Sequence, residues 1–370
     1  MSRPLRVLAL SPVPEEAASA RFRVYQYERP LARDGVELTV RPFATTELFR
    51  ILYQPGRYLA KAALSLRQGL AFWRVFARRR DFDVFLVHRE VLPVGPPVVE
   101  RALARLHGRA LVYDFDDAIY LPNVSEANRV VGLLKWPSKV PVVIRLSRSV
   151  VAGNEHLAGY ARTFNPAVTV IPTCVDPAVF VPRAGGATGD RPVIGWIGSP
   201  TTRRYLLTLR DVLVELARSH RFTLRVSGAG RPSEIPGVHV EEAPWSLDRE
   251  VRLFNECDVG LYPLPDDEWT RGKCGFKAIQ FMACGVPVVA SPVGVNREII
   301  RDGENGFLAD GPRDWARHLE ALFADAGLRA RLGRAGRETV VKGYSVNAHA
   351  GTLARVLRLA HDAAANGDPG

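Results

Sequence analysis

Cysteine is scarce in this chain of 370 residues, and its spacing excludes two kinds of site. The four cysteines lie far apart and form no C-x-x-C pair, so the sequence predicts neither a zinc site nor a disulfide framework. They are Cys174, Cys257, Cys274 and Cys284. Because thiols stay unpaired in a reducing compartment, we expect a cytoplasmic protein.

Long hydrophobic runs are also missing. No stretch approaches the roughly 18 apolar residues of a membrane-spanning helix, and the apolar run Leu5 to Leu10 is too short for a signal peptide. We therefore expect a soluble or peripheral protein. That run reads as a first strand, and the Ser-Pro-Val-Pro after it offers no G-x-G-x-x-G, which argues against a nicotinamide dehydrogenase.

Acidic residues are outnumbered by basic ones, and the imbalance lies mainly in the first half. The net charge is +11, and residues 1–180 hold 25 basic and 16 acidic residues. A basic field suits an anionic lipid surface, a phosphorylated acceptor or nucleic acid. Because nothing in the sequence resembles a nucleic-acid-binding module, we expect no nucleic-acid partner.

No acidic residue occurs from Arg57 to Arg80, where basic residues alternate with leucine, phenylalanine and tryptophan. A basic amphipathic helix with aromatic residues is typical of an element that lies on a membrane surface. The alternative is a helix that covers a sheet and turns a solvated arginine face outward.

Short β-branched runs alternate with helical segments throughout the chain, which predicts an α/β fold with parallel sheets. The chain is long enough for two domains, and the segment 177–192 has the Pro and Gly content of a linker. We predict a first domain over residues 1–180, a second over 181–345, and a terminal helix and disordered tail over 346–370.

Polar side chains follow the predicted strands of the first domain, where ligands of parallel sheets collect. Arg21 and Arg23 follow the first strand, and guanidinium groups suit carboxylate or phosphate, so we expect them on the acceptor side unless they belong to a solvated helix. His88 ends a later strand as a candidate base or sugar ligand, or as a structural histidine.

Three carboxylates crowd the end of the next strand: Asp114, Asp116 and Asp117. Burial and mutual repulsion make such a group costly without a function. The carboxylates could bind a divalent metal, orient sugar hydroxyls, or cap the following segment.

The second half has its own candidate loop after the strand 193–197. Gly198 allows a ligand to approach the backbone, and Thr201 or Thr202 can cap the helix that follows or offer a hydroxyl to an oxyanion. Trp245, at a later helix start, is predicted either to line a nucleobase pocket or to lie in the core.

The most informative stretch runs from Arg271 to Ser291. A basic loop containing Gly275 leads into a helix, a glycine ends the helix, and a β-branched run forms a buried strand. Lys273 and Lys277 lie at and just inside the helix start, where the helix dipole favours an anion. The chain has only six lysines, so this pair predicts a phosphate site, against the alternative of an ordinary solvated helix start.

The segment Lys277 to Ser291 resembles the signature of glycosyltransferase family 4, in which a helix ends in "EAMACGxPVVAS". Residues 265–309 are similar to the donor-binding region of GT-B glycosyltransferases, and the match extends with lower specificity over the chain. The resemblance implies two Rossmann-like domains facing across a cleft, with the C-terminal helix crossing back to the first. It also implies a retaining transfer from a nucleoside-diphosphate sugar, with no obligatory metal.

Two departures from the family are visible. Family members usually carry two glutamates eight residues apart, and the matching positions here are Gly272 and Gln280. Gln280 can still hydrogen-bond ribose hydroxyls. The usual Arg and Lys pair after the first strand of the donor domain has no clear match, so the resemblance leaves the diphosphate to Lys277 and Lys273, with Thr202 beside them.

The sequence therefore predicts a hexosyltransferase-like enzyme that moves a sugar from a UDP- or GDP-sugar to a hydroxyl acceptor on a glycan, a lipid carrier or a small molecule. Asp116 or Asp117, with His88, is predicted to orient or deprotonate the acceptor, while Lys277 stabilises the leaving diphosphate. Two alternatives are a GT-B nucleotide-sugar epimerase and a non-catalytic nucleotide-sugar-binding subunit. The protein would be cytoplasmic, with a possible peripheral site on the inner face of the membrane.

Overall fold

A computed structural model describes residues 3–52, 56–106, 110–121, 136–184, 191–230 and 233–366. The chain divides into two compact units. The first consists of Met1–Thr173 together with His349–Gly370, and the second of Cys174–Ala348. Residues 185–190 of the predicted linker lie outside the described residues.

The first unit is built on a parallel six-stranded sheet in the order β2-β1-β3-β4-β5-β6. Its strands are β1 (Leu5–Ser11), β2 (Val36–Pro42), β3 (Val84–His88), β4 (Ala110–Phe115), β5 (Ser149–Ala152) and β6 (Val168–Val170). Its helices up to residue 173 are α1 (Ala18–Arg23), α2 (Glu28–Arg33), α3 (Thr46–Leu52), α4 (Tyr58–Ala77), α5 (Val98–Leu106), α6 (Lys139–Leu146) and α7 (Glu155–Arg162). The central strands β3 and β4 are buried along their whole length, as expected for a sheet covered on both faces.

The second unit repeats this architecture with a parallel sheet in the order β12-β11-β10-β7-β8-β9. Its strands are β7 (Val193–Ile197), β8 (Thr223–Ser227), β9 (His239–Ala243), β10 (Val259–Tyr262), β11 (Val288–Ala290) and β12 (Phe307–Leu308). Its helices are α8 (Arg203–Leu206), α9 (Arg210–Ser219), α10 (Glu250–Asn255), α11 (Glu268–Arg271), α12 (Phe276–Ala283), α13 (Asn296–Ile299), α14 (Pro312–Ala324) and α15 (Ala326–Gly343). The last helix, α16 (Val346–Ala365), continues into the residues that group with the first unit.

The predicted α/β class and the two Rossmann-like domains are confirmed. Two local details differ from the prediction. The single helix predicted after Thr202 is interrupted by a 3-10 turn at Leu207–Leu209. Helix α12 begins at Phe276 with Gly275 as its N-cap, so Lys273 lies in the preceding loop rather than at the helix start.

Candidate functional site

Strand order locates the candidate ligand edge of the second sheet. The chain begins this sheet at β7, adds β8 on one side and later places β10 on the other, so the order reverses at β7. Crevices for ligands in parallel sheets form at the carboxyl ends of strands flanking such a reversal. The loops after β7, β10 and β11 therefore contain the residues of interest.

The loop after β7 packs closely against the loop after β8. Gly228 has a φ of +79°, and a Cβ there would lie 2.3 Å from the carbonyl oxygen of Gly198. A Cβ on Gly198 would lie 2.3 Å from the ring of Trp196 and 2.8 Å from the hydroxyl of Thr202. The sequence predicts that Gly198 allows a ligand to approach the backbone, and its packing against Trp196 and Thr202 is a separate reason for a glycine at this position.

The predicted helix cap at Thr202 is wrong in detail. Its hydroxyl accepts a hydrogen bond from the amide of Ser199 (2.9 Å) and donates one to the Ser199 carbonyl (3.1 Å), so it closes the loop instead of capping α8. The Thr201 hydroxyl lies 2.9 Å from that of Ser199 and belongs to an exposed residue. Trp245 is exposed, which excludes the core alternative and leaves its ring accessible.

Several contacts join the remaining loops at the same edge. Tyr205 of α8 packs with Leu264, which follows β10, and with Val293, which follows β11. Lys273 holds its ammonium group 5.6 Å from the ring of Trp269, and this cation–π contact orients it in the loop before α12. These contacts join α8 to the loops after β10 and β11 and hold Lys273 against Trp269.

Gly275 sets the backbone conformation of the turn that leads into α12. Its φ of +63° is the left-handed region, and a Cβ there would lie 2.3 Å from Cδ1 of Ile299 and 3.1 Å from Oδ1 of Asn296. Glycine alone allows the chain to turn into α12 while α13 packs against the turn. This requirement gives the glycine of the sequence signature a physical reason.

We expect Gly275→Ala to destabilise the second unit by about 2–4 kcal/mol, because left-handed strain adds to a steric clash. The matched control is Gly303→Ala, since Gly303 has a φ of +76° but a Cβ there would meet no atom within 4 Å. Chemical unfolding of both variants separates the cost of left-handed backbone strain from the cost of the steric clash. Equal losses in the two variants would contradict the role of packing at Gly275.

Lys277 lies on the side of α12 that faces α10. Its ammonium nitrogen donates a hydrogen bond to Oε1 of Gln280 (2.7 Å) and lies 5.4 Å from the ring of Phe254. Gln280 is fully buried, and its amide nitrogen lies 3.4 Å from Oε1 of the buried Glu250. The three side chains form a polar chain at the start of the helix, and no sequence pattern pointed to Glu250.

The acidic residues Asp266 and Asp267, which precede Gly272 in the chain, form local interactions. Asp267 is the N-cap of α11 and accepts a hydrogen bond from the amide of Thr270 (2.8 Å). Asp266 forms an exposed ion pair with Arg271 (2.6 Å). Gly272 itself is buried and ends α11.

In the first unit, the three predicted carboxylates separate into two groups. Asp114 is paired with Arg23, whose Nε lies 3.1 Å from Oδ1, and both side chains are at most 5% exposed. Arg23 also donates to the carbonyl of Ile171 (2.6 Å). The structure therefore places Arg23, predicted on the acceptor side, inside the unit as the partner of Asp114. Arg21 is half-buried and bonds the carbonyls of Glu15 and Glu16.

His88 belongs to the same buried group. Its Nδ1 lies 2.8 Å from Oδ1 of Asp114, and the side chain is fully buried. Burial opposes ionisation of Asp114, but the charge of Arg23 and hydrogen bonds from His88 and Arg23 outweigh it and lower the pKa of that carboxyl. An ionised carboxylate only accepts, so Nδ1 carries the shared proton. Nε2 has no hydrogen-bond partner among the described residues.

Asp116 and Asp117 are joined by Arg89, a residue whose role the sequence did not reveal. Arg89 Nε lies 2.7 Å from Asp116, and Nη2 lies 2.6 Å from Asp117. Burial disfavours the ionised form of Asp116, but the charge of Arg89 outweighs it and the pKa falls to about 2. A carboxylate with so low a pKa is a poor proton acceptor near neutral pH, which favours orientation of hydroxyls over deprotonation.

The backbone of Arg89 is constrained together with its side chain. Its φ of +60° is rare for a residue with a side chain, and its amide donates to the carbonyl of Asp114 (2.7 Å). Among the described residues, no three His, Cys, Asp or Glu side chains come together in a group that could hold a metal ion.

Comparison with known proteins tests the family resemblance. Residues 191–325, which include β7, β10, β11 and α12, match the family described as "Glycosyl transferases group 1". The resemblance to glycosyltransferase family 4 is confirmed. The match covers the second unit from β7 to α14 and stops before α15.

Curated relatives are themselves named as glycosyltransferases. The chain is 32% identical over 201 residues to a D-inositol 3-phosphate glycosyltransferase of Stackebrandtia nassauensis, covering 45% of this chain and 43% of the relative. It is 40% identical over 128 residues to the enzyme of that name from Arthrobacter sp., covering 34% of this chain and 28% of the relative. The chain thus spans less than half the length of the curated relatives it matches.

Solved structures confirm the GT-B fold. Sucrose-phosphate synthase from Thermosynechococcus elongatus has a TM-score of 0.70 at 17% identity and covers 97% of this chain and 100% of its own. The Anabaena protein HepE, solved in complex with UDP and glucose, has a TM-score of 0.66 at 17% identity and covers 96% of this chain and 100% of its own.

Proposed function

We propose that this protein is a retaining glycosyltransferase that moves a hexose from a nucleoside-diphosphate sugar to a hydroxyl acceptor. The observation that carries the proposal is the coincidence of two facts. The family match covers residues 191–325, and Gly198 after β7, Gly275 before α12 and Lys277 in the first turn of α12 all lie in that range.

In this proposal the second unit binds the donor. The second unit, Cys174–Ala348, is the donor domain in this proposal, and the first unit, Met1–Thr173 with His349–Gly370, is the acceptor side. Lys277 and Lys273, with the amides at the start of α12, stabilise charge on the leaving diphosphate, which is the largest catalytic demand of such a transfer. Thr202 stands beside the two lysines at the diphosphate, Gln280 contributes to binding the ribose and Trp245 to binding the nucleobase, and the reaction needs no resident metal.

The donor is proposed to be a UDP- or GDP-sugar, and UDP complexes among the structural neighbours support the first. The test is a transfer assay with four sugar nucleotides, namely UDP-glucose, GDP-mannose, ADP-glucose and dTDP-glucose. Release of nucleoside diphosphate together with a glycosylated acceptor supports the proposal. Epimerised sugar without transfer would replace it by the epimerase alternative.

We further propose that the protein works in the cytoplasm at the inner face of a membrane, through helix α4. Leu64 on one side of this helix packs against the cluster of Phe43, Ala44 and Leu48. The opposite side is exposed, and its large apolar residues are Tyr58 (70%), Leu59 (88%), Leu66 (67%) and Leu70 (64%). The exposed side of α4 thus carries large apolar residues, whereas the alternative predicts a solvated arginine face there.

Positive charge borders this apolar side. Arg57 and Arg67 are exposed, and the segment 57–80 contains no acidic residue. Apolar side chains beside basic ones match an anionic bilayer surface. Among the described helices, α4 included, none is long and apolar enough to cross a bilayer, so the proposal is surface binding.

We expect the protein to co-sediment with phosphatidylglycerol vesicles at low salt. The double variant Leu66→Gln/Leu70→Gln should lower the partition coefficient about tenfold or more, because each leucine loses apolar burial in the interface. Leu359→Gln is the matched control, since Leu359 is 60% exposed on α16. Binding that is unchanged in the double variant, or equally lost in the control, would contradict a docking role for α4.

A further inference from the structure

The carboxyl edge of the first sheet carries both the candidate acceptor residues and the attachment of helix α4. Strands β1 to β4 are parallel, so the residues that follow them lie at one edge of the sheet. Arg89 follows β3, and Asp116 and Asp117 follow β4. Phe43 follows β2, and its amide donates to the carbonyl of Ser11, the last residue of β1 (2.8 Å). The segment that forms α3 and α4 therefore leaves the sheet at the edge of the candidate acceptor residues.

One apolar cluster joins this edge to α4. Its buried members lie in the segment 43–48, and Leu64 of α4 and Leu92 of the loop after β3 pack against them. Leu92 is three residues beyond Arg89, so at most about 11 Å of extended chain separates the two. The helix that we propose to bind the membrane and the loop that carries Arg89 are therefore attached to the same cluster.

Charged side chains of two helices hold this loop in place. Glu100 of α5 accepts a hydrogen bond from the amide of Val91 (2.9 Å). Lys139 of α6 donates to the carbonyl of Leu92 (2.8 Å) and forms an ion pair with Glu90 (2.6 Å). Each of the three residues after position 89 is thus bonded to a helix, which fixes the course of the loop from the strand to the apolar cluster.

The exposed side of α4 determines how far a bilayer lies from this loop. Leu66 and Leu70 are on the side opposite Leu64, and an α-helix with its side chains is about 10–12 Å across. A bilayer that contacts those two leucines therefore lies about one helix diameter from the apolar cluster. Its head groups are close to the edge that carries Asp116 and Asp117.

Two contacts with one membrane reinforce each other. A protein held on a surface by α4 meets an acceptor in the same surface at an effective concentration that reaches the millimolar range. A freely dissolved acceptor gains nothing from that contact, because its concentration is the same at the surface and in solution. The position of α4 beside the acceptor edge thus favours an acceptor that is itself part of the bilayer.

Resting on the proposed function, we propose that the acceptor is a hydroxyl on the head group of a membrane lipid. Helix α4 lies on the bilayer, and the head group reaches the carboxyl edge of the first sheet, where Asp116 and Asp117 orient its hydroxyl. In the transfer, the hydroxyl oxygen bonds to the anomeric carbon, the bond from that carbon to the diphosphate breaks, and the hydroxyl proton passes to the released diphosphate. The acyl chains stay in the bilayer and need no apolar pocket in the protein.

The experiment compares three lipids with their water-soluble counterparts, using the sugar nucleotide that the donor panel selects. The pairs are monoglucosyl diacylglycerol with glucosylglycerol, phosphatidylinositol with glycerophosphoinositol, and phosphatidylglycerol with glycerophosphoglycerol. Each lipid is carried in vesicles of phosphatidylcholine and phosphatidic acid, whose head groups offer no alcohol, and each soluble compound is assayed with the same vesicles. We expect kcat/KM at least about tenfold higher for at least one lipid than for its counterpart, with concentrations counted over the whole volume. Equal or better use of the soluble members would overturn the proposal.

The double variant Leu66→Gln/Leu70→Gln tests the link between α4 and the acceptor. It should lower the ratio of kcat/KM for a lipid to that for its soluble counterpart about tenfold, because the lipid is no longer met at a raised effective concentration. Leu359→Gln, which changes an exposed leucine of α16, should leave this ratio unchanged. A ratio that the double variant leaves intact, or that the control lowers equally, would overturn the proposal.

Failure of this inference and failure of the proposed function have different signatures. Transfer to none of the three lipids, while a sugar nucleotide is still bound and hydrolysed, overturns the lipid acceptor and leaves the donor site standing. Absence of binding to every sugar nucleotide contradicts the proposed function itself, and this inference with it.

Discussion

Replacing Lys277 with alanine is expected to lower kcat/KM for sugar transfer by about 10²-fold or more, the scale of removing one key charge donor. The ammonium group lies in the first turn of α12, close to its positive N-terminus, and is held by Gln280 and the ring of Phe254. This support fixes the position of the charge before a donor binds. The loss should occur for transfer and for donor hydrolysis alike, because both release the diphosphate.

The matched control is Lys342→Ala. Lys342 is exposed in the last turn of α15, so its removal changes the net charge equally without touching α12. Lys277→Arg adds a second comparison, because it keeps the charge but presents a planar fork where a compact ammonium fits. Near-normal transfer by Lys277→Ala would remove Lys277 from the site.

Asp114→Asn is expected to lower the free energy of unfolding of the first unit by about 3–5 kcal/mol, the cost of leaving one buried charge unpaired. Arg23 is 2% exposed and has Asp114 as its ion-pair partner. An asparagine keeps the shape and one hydrogen bond but removes the opposite charge. Urea unfolding, followed by hydrogen exchange of the β3 and β4 amides, measures the loss.

The same substitution predicts a pH dependence. The folded-state pKa of Asp114 is lowered, so its contribution is present above the unfolded pKa and is lost as the pH falls through the folded value. The stability of the wild type should therefore fall from about pH 5 downwards, more steeply than that of Asp114→Asn. Asp81→Asn, which removes the charge of an exposed residue before β3, is the control for this pH dependence. A constant difference between wild type and Asp114→Asn from neutral pH to about pH 3 would contradict this origin.

Much of the fold was predictable because it depends on local patterns. Runs of β-branched residues indicate the strands of both sheets, and the two runs Leu5 to Leu10 and 193–197 lie in β1 and β7. The helix α12 follows from Gly275, an apolar face and the stop at Gly285. The stretch from Lys277 to Ser291 also carries the family resemblance, which the match over 191–325 confirms.

The pairing of charges was not predictable, because it joins residues far apart in the chain. Arg23 and Asp114 are 91 positions apart, and no periodicity indicates that they meet. Arg89, with its left-handed backbone, donates an amide hydrogen bond to the carbonyl of Asp114. This hydrogen bond forms only when β3 and β4 pair. Thr202 does not cap α8 with its side chain, because its hydroxyl is hydrogen-bonded to Ser199 within the tight loop after β7.

These pairings change how the candidate residues of the first unit are understood. The sequence presents Asp114, Asp116 and Asp117 as one acidic cluster. The structure separates a buried pair, which supports His88, from a partly exposed group, which lies beside Arg89. Asp114→Asn therefore tests the stability of the first unit, and substitutions at Asp116 or Asp117 test the predicted acceptor role.

Calorimetric titration with the four sugar nucleotides tests the central claim most directly, because it needs no acceptor. We expect at least one of them to bind with a Kd below about 1 mM, within the usual range for enzyme substrates, and Lys277→Ala to weaken that binding while Lys342→Ala does not. Failure of all four to bind, or binding that is equally strong in Lys277→Ala, would contradict a donor site at the start of α12.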